Sequence, residues 1–158
     1  MNNNINTEET PSKCALKFND YKVKHIEFIL NENFNNTSNP KVVTNVKTTI
    51  NYNNKNPNKF NTSIKITLGE KSNNPNVLFY LCVELLGEFE VVESEIDKVR
   101  QFAEINAVSI LFPYARALIT TITANANIPP VVLPPMNIAG MMEKEYGETE
   151  DENCCKTE

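Results

Sequence analysis

The sequence predicts an α+β chain in which four strands precede the helices. Two observations carry this. Four stretches between Tyr21 and Val91 alternate apolar with polar residues or run apolar between turn residues. Beyond Ser94 the apolar residues recur at three and four positions instead of two. The chain's 158 residues, 41% hydrophobic and 22% charged, suit one domain of about 100 to 150 residues with tails.

Residues 1–19 are mostly Asn, Thr and Glu without apolar period, which reads as a largely disordered tail before a domain over residues 20–142. Tyr21 and Val23 are apolar at odd positions, then Ile26, Phe28 and Leu30 at even ones, so the first strand needs a bulge near Lys24 and His25. After an Asn-rich link, Val42, Thr44, Val46, Thr48, Ile50 and Tyr52 share one face of a second strand. The cluster NNKNPNK at 53–59 turns the chain. Phe60, Thr62, Ile64, Ile66 and Leu68 then alternate in a third strand, and the two form an antiparallel hairpin. Residues 77–86 are apolar on both faces, as in a strand covered on both sides. Gly87 interrupts this run before Phe89 and Val91 continue it.

Ser94 with Asp97 three residues on resembles a capping box opening a short helix to about Ile105. Asn106 can cap a longer one through Ala107, Ile110, Leu111, Tyr114, Ala115, Leu118 and Ile122, an apolar stripe wide enough to face more than one neighbour. Pro113 must fall in its first turns or kink it. Two Pro-Pro pairs at 129–130 and 134–135 make IPPVVLPPM an extended connection, and Asn137 can cap a short last helix bearing Ile138, Met141 and Met142.

Charge excludes one function class. Residues 143–158 hold seven carboxylates against two lysines, so the whole net charge of -5 lies in this acidic, disordered tail, whose simplest role is solubility. The remaining chain is neutral with two arginines and no basic stripe, unlike a surface that tracks phosphates. Catalysis is equally hard to assemble. His25 is the one histidine, no CxxC or Cys/His cluster offers a metal site, and Cys154 and Cys155 stand together without a third ligand. No enzyme, cofactor or metal is expected. The absence of about 18 consecutive apolar residues, and of a basic-then-apolar start, places the protein in the cytosol.

The run LFPYAR at Leu111 to Arg116, followed by the Pro-rich connection and Pro135-Met136-Asn137, resembles the SecB export-chaperone family. LCVELLG at Leu81 to Gly87 with Phe89, and YKVKHIEF at Tyr21 to Phe28, are similar to that family's fourth and first strands. The resemblance implies a four-stranded antiparallel sheet packed on a long C-terminal helix, assembled as a tetramer that is a dimer of dimers. It implies an ATP-independent holdase that keeps unfolded preproteins in apolar grooves and delivers them to SecA.

In that frame Met136, Ile138, Met141 and Met142 match the connection and last helix that roof the groove, with Leu133 and Phe34 as further client-binding candidates. Adaptable methionines suit a surface that must accept unrelated sequences. The same residues would also serve simply to pack the connection onto the sheet. Ile110, Tyr114 and Leu118 on the long helix, with Cys82 and Glu84 on the fourth strand, are candidates for contacts between copies. Glu27 and Glu84 are candidates for docking SecA, although His25 and Ile29 stand where export members carry acidic residues. The rival readings are a SecB-like chaperone dedicated to another client, such as an antitoxin, and a small-molecule or lipid-binding module using the connection as a lid.

Overall fold

A computed structural model of the chain describes residues 16–35, 42–92, 96–137 and 140. It contains β1 (Leu16–Leu30), β2 (Thr44–Asn53), β3 (Asn56–Gly69), β4 (Phe79–Val91) and α1 (Ile96–Asn125). The four strands form one antiparallel sheet in the order β1-β4-β3-β2. The α+β class is as the sequence predicts.

Alternation decides which face each strand buries. Phe60, Thr62, Ile64, Ile66 and Leu68 of β3 and the odd positions 79 to 91 of β4 point toward α1, and the apolar ones among them form the core with Leu111, Ala115 and Ile119. β1 joins this face only because it is irregular. Register shifts between Phe18 and Asp20 and between Val23 and His25 bring Tyr21 and Val23, then Ile26 and Phe28, to the helix side. The second shift is the bulge that the odd-to-even switch requires. β1 begins at Leu16, inside the stretch expected as tail, and β4 reaches Val91 through Gly87.

A row of rings crosses the inner face at one end of the sheet. Tyr52, Phe60, Phe89 and Phe18 are cross-strand partners with successive centroid separations of 5.7, 5.6 and 5.2 Å. Tyr114 of α1 extends it, 5.9 Å from Phe18 and 4.5 Å from Tyr21. Each such pair contributes about 0.5–1.5 kcal/mol beyond the area it buries.

One expectation about the helix changes: the short and long helices are one continuous α1, with Pro113 in its interior. Pro113 and Ser109 are both exposed, so the Ser109 carbonyl that loses its amide partner faces water. The stretch Ala103–Asn125 is long and apolar enough by composition to cross a bilayer. Its Ala103, Ala107, Val108, Leu111, Ala115 and Ile119 are instead buried against the sheet. Asn127 (φ 57°) ends the helix in the left-handed region, which Asn tolerates. Ser94 of the expected capping box lies outside the described residues.

Candidate functional site

α1 lies over β4, β3 and β1. The inward residues of β2 are consequently less covered: Val46, Thr48, Ile50 and Tyr52 are half-buried while their β3 partners Ile66, Ile64, Thr62 and Phe60 are buried. Beyond Asn125 the chain turns and returns as an extended segment over residues 128–137 without helix or strand. Four prolines remove amide hydrogens from it, so side chains must hold it in place. Thr123 and Thr120 do this. The Val131 N–H donates to Thr123 Oγ1 at 3.0 Å, and Thr120 Oγ1 donates to the Val131 carbonyl at 2.9 Å.

This segment is anchored at Val131 and Leu133 and only partly covered elsewhere. Leu133 is buried at 4% exposure, whereas Ile128, Val131 and Met136 are half-buried against the core and Val132 is 65% exposed. An extended apolar segment next to a half-covered β-face can offer contact area but few polar anchors. It suits apolar side chains of varied shape and gives no fixed pocket for a small polar ligand.

The client-binding candidates separate accordingly. The structure brings Leu133 and Met136 onto one apolar cluster. Phe34 is elsewhere, in the turn after β1, where its N–H donates to the Asn31 carbonyl and the neighbouring Asn35 is tied to Pro75. Ile138, Met141 and Met142 lie outside the described residues, but the Asn137 side-chain oxygen accepts the Gly140 N–H at 3.1 Å, the bond expected of an N-cap.

The candidates for contacts between copies fall on opposite sides of the sheet. Ile110 and Leu118 are half-buried against the chain's own core, and Tyr114, 39% exposed, packs its ring at a tilt against Tyr21. Cys82 and Glu84 lie on the outer face, away from α1, with Cys82 buried. Sequence reading missed an apolar band beside Tyr114 along the helix side of edge strand β1: Tyr21, Val23, Ile26 and Leu30 are each 37–47% exposed. Alternation identifies the face on which these residues sit but not whether α1 reaches over them.

On the outer face Glu84, Glu27 and Glu88 are already engaged. A single oxygen of Glu84 accepts from Lys24 Nζ at 2.7 Å and from Ser63 Oγ at 2.9 Å. The Lys24 contact, reinforced by Ser63, holds its carboxyl below the ordinary range. Glu27 accepts from Lys71 at 2.7 Å, which lowers its pKa likewise, and stands 3.8 Å from His25. Lys22 pairs with Glu88 at 2.9 Å. Burial, and then Cys82 beside it, raise the Tyr80 hydroxyl. Among the described residues no group of three or more His, Cys, Asp or Glu could hold a metal ion.

The sequence model described as preprotein translocase subunit SecB matches residues 19–149. The uncharacterized protein MJ0357 of Methanocaldococcus jannaschii is 60% identical over 150 residues, 95% of this chain and 96% of that protein. Protein-export protein SecB of Anaplasma phagocytophilum is 34% identical over 76 residues, covering 46% of this chain and 48% of that protein. Among solved structures, the Mycobacterium tuberculosis SecB-like chaperone Rv1957, in complex with a ChAD peptide from the HigA1 antitoxin, superposes with a TM-score of 0.64. At 12% identity over 78% of this chain and 91% of that one, the likeness is one of fold. The match over residues 19–149, with the sheet order and the long helix it accompanies, places the chain in the SecB family.

Proposed function

We propose that the chain is an ATP-independent cytosolic holdase that binds unfolded polypeptides along the apolar surface of β2 and the 128–137 segment. The observation that carries this is the segment itself, apolar yet pinned mainly through Val131 and Leu133, with Val132 and Met136 left accessible. Family membership supports a chaperone role. The fold neighbour's complex with an antitoxin peptide supports a polypeptide as ligand. The last-helix residues Ile138, Met141 and Met142 would extend the surface, and Phe34 would lie outside it. No cofactor and no catalytic step are part of this function.

The apolar band of Tyr21, Val23, Ile26 and Leu30 beside the unpaired edge of β1 supports association of copies through that edge, within a tetramer. Delivery to SecA would use the outer face. There the candidate docking residues Glu27 and Glu84 are held by Lys71 and Lys24, which favours a second reading: a chaperone serving a dedicated client instead of the export motor.

The test is light scattering during dilution of a chemically unfolded protein, without ATP and with reductant. Suppressed aggregation, lost in a Val132→Ser, Met136→Ser double variant of unchanged oligomeric state, is the expected result. No suppression by a several-fold excess of the folded protein would contradict the proposal.

A further inference from the structure

The two edge strands of the sheet are built differently. β1 is interrupted by two register shifts and carries Lys17, Asp20, Lys22, Lys24, His25 and Glu27. Bulges and charges of this kind keep an edge from pairing with foreign strands. β2 lacks these protections. It pairs with β3 from Thr44 to Tyr52 without a register shift, contains no proline, and has Lys47 as its single charged residue. Among the described residues no strand lies beyond it, and α1 packs on the other three strands.

The direction of the β2 backbone follows from one bond. The Gly69 N–H donates to the Val43 carbonyl at 2.9 Å, and these residues are the next partners after Thr44 and Leu68. In an antiparallel ladder hydrogen-bonded and non-bonded pairs alternate, so Asn45, Lys47, Thr49 and Asn51 bond their main chain to β3. Thr44, Val46, Thr48 and Ile50 therefore aim theirs at the open edge, one donor and one acceptor each. The side chains of Val46, Thr48 and Ile50 are also the ones that lie half-buried on the helix side. Outward main-chain groups and inward apolar side chains thus belong to the same residues. From Thr44 to Ile50 this edge runs about 20 Å.

We infer that an unfolded client binds as an added strand, antiparallel to β2 on its open edge, a mode that rests on the holdase reading above. Residues directly opposite each other share a face, so every second client side chain falls beside Val46, Thr48 or Ile50 on the helix side. The same client residues turn their N–H and C=O groups to β2. Main-chain bonds supply affinity independent of sequence, while the two-residue period of the side chains sets the preference. The favoured client segment alternates apolar with polar residues and has no proline at its inward positions, as in the strands of an unfolded β-protein. A segment with helical apolar spacing cannot place all its apolar residues on that face.

Three short peptides of one alternating sequence test this by fluorescence anisotropy: one unmodified, one N-methylated at central apolar residues, and one N-methylated at central polar residues. N-methylation removes the amide hydrogen and keeps the side chain. The peptide methylated at apolar residues should bind roughly tenfold or more weakly, and the other methylated peptide as the unmodified one does. By NMR, the amides of Val46, Thr48 and Ile50 should exchange quickly in the client-free protein and become protected by the unmodified peptide. Equal binding of all three peptides, with those amides still exchanging quickly, would overturn strand addition and leave the holdase reading in place. Protection of those amides before any peptide is added would also overturn it, because the edge would then be covered by another segment or a second copy. The holdase reading itself fails only if suppression of aggregation is absent.

Discussion

Leu111 of α1 closes directly over Gly87 of β4: a Cβ at position 87 would stand 2.7 Å from Leu111 Cδ2 and 2.7 Å from Phe89 Cε2. Glycine here sets how near the helix comes to the sheet. Gly87→Ala should therefore destabilise by about 1–3 kcal/mol through overpacking, even though alanine restricts the unfolded chain. Urea unfolding should show a lower midpoint with an unchanged slope.

Thr62 on β3, wholly buried between Ile50 and Gly87, leaves its hydroxyl without a hydrogen-bond partner among the described residues. Val has the same shape and nothing to desolvate. Thr62→Val should be neutral or stabilising by about 1 kcal/mol in the same unfolding experiment.

Much of this architecture is legible in the sequence because strand period and burial coincide. The hairpin, the faces of β2 and β3 and the bulge after Val23 all follow from which positions are apolar. The single helix is not, because Asn106 reads as the cap of a second helix, a local signal that packing of Ala107, Leu111 and Ala115 overrides. The site is half legible. The prolines predict that residues 128–137 are extended, yet nothing in them indicates that Leu133 is buried and Val132 exposed. The ion pairs of Glu27 and Glu84 depend on register across β1, β4 and a loop lysine, which local pattern does not encode.

Thr123 is the clamp on the connection: its hydroxyl accepts the Val131 N–H and donates to the Ile119 carbonyl at 2.9 Å. Thr123→Val leaves the Val131 amide without its acceptor at a cost of about 1–3 kcal/mol. Amide exchange of Val131 and its neighbours should quicken more than that of β3 and β4. Uniform acceleration would mean that the clamp is not local.

Acid should weaken the outer face. Lys24 and Ser63 depress the folded-state pKa of Glu84 below its usual value of 4.5, so the unfolded chain binds the proton more readily. The resulting stability is complete above about pH 4.5 and is lost as pH falls through the depressed folded value. Lys24 is 57% exposed, so solvent keeps the contribution under about 1 kcal/mol. The stability gap between wild type and Glu84→Gln should be present at pH 7 and close toward pH 3 in pH-resolved unfolding curves.

The central claim, that unfolded polypeptide is held on β2 and the 128–137 segment, is tested most directly by hydrogen–deuterium exchange of the full chain with and without a permanently unfolded, reduced and alkylated protein. Protection concentrated in residues 44–53 and 126–137, and reduced in the Val132→Ser, Met136→Ser variant, is the predicted result. Protection confined to the turn around Phe34 or to the outer face around Lys47 and Lys65, with none at 126–137, would contradict it.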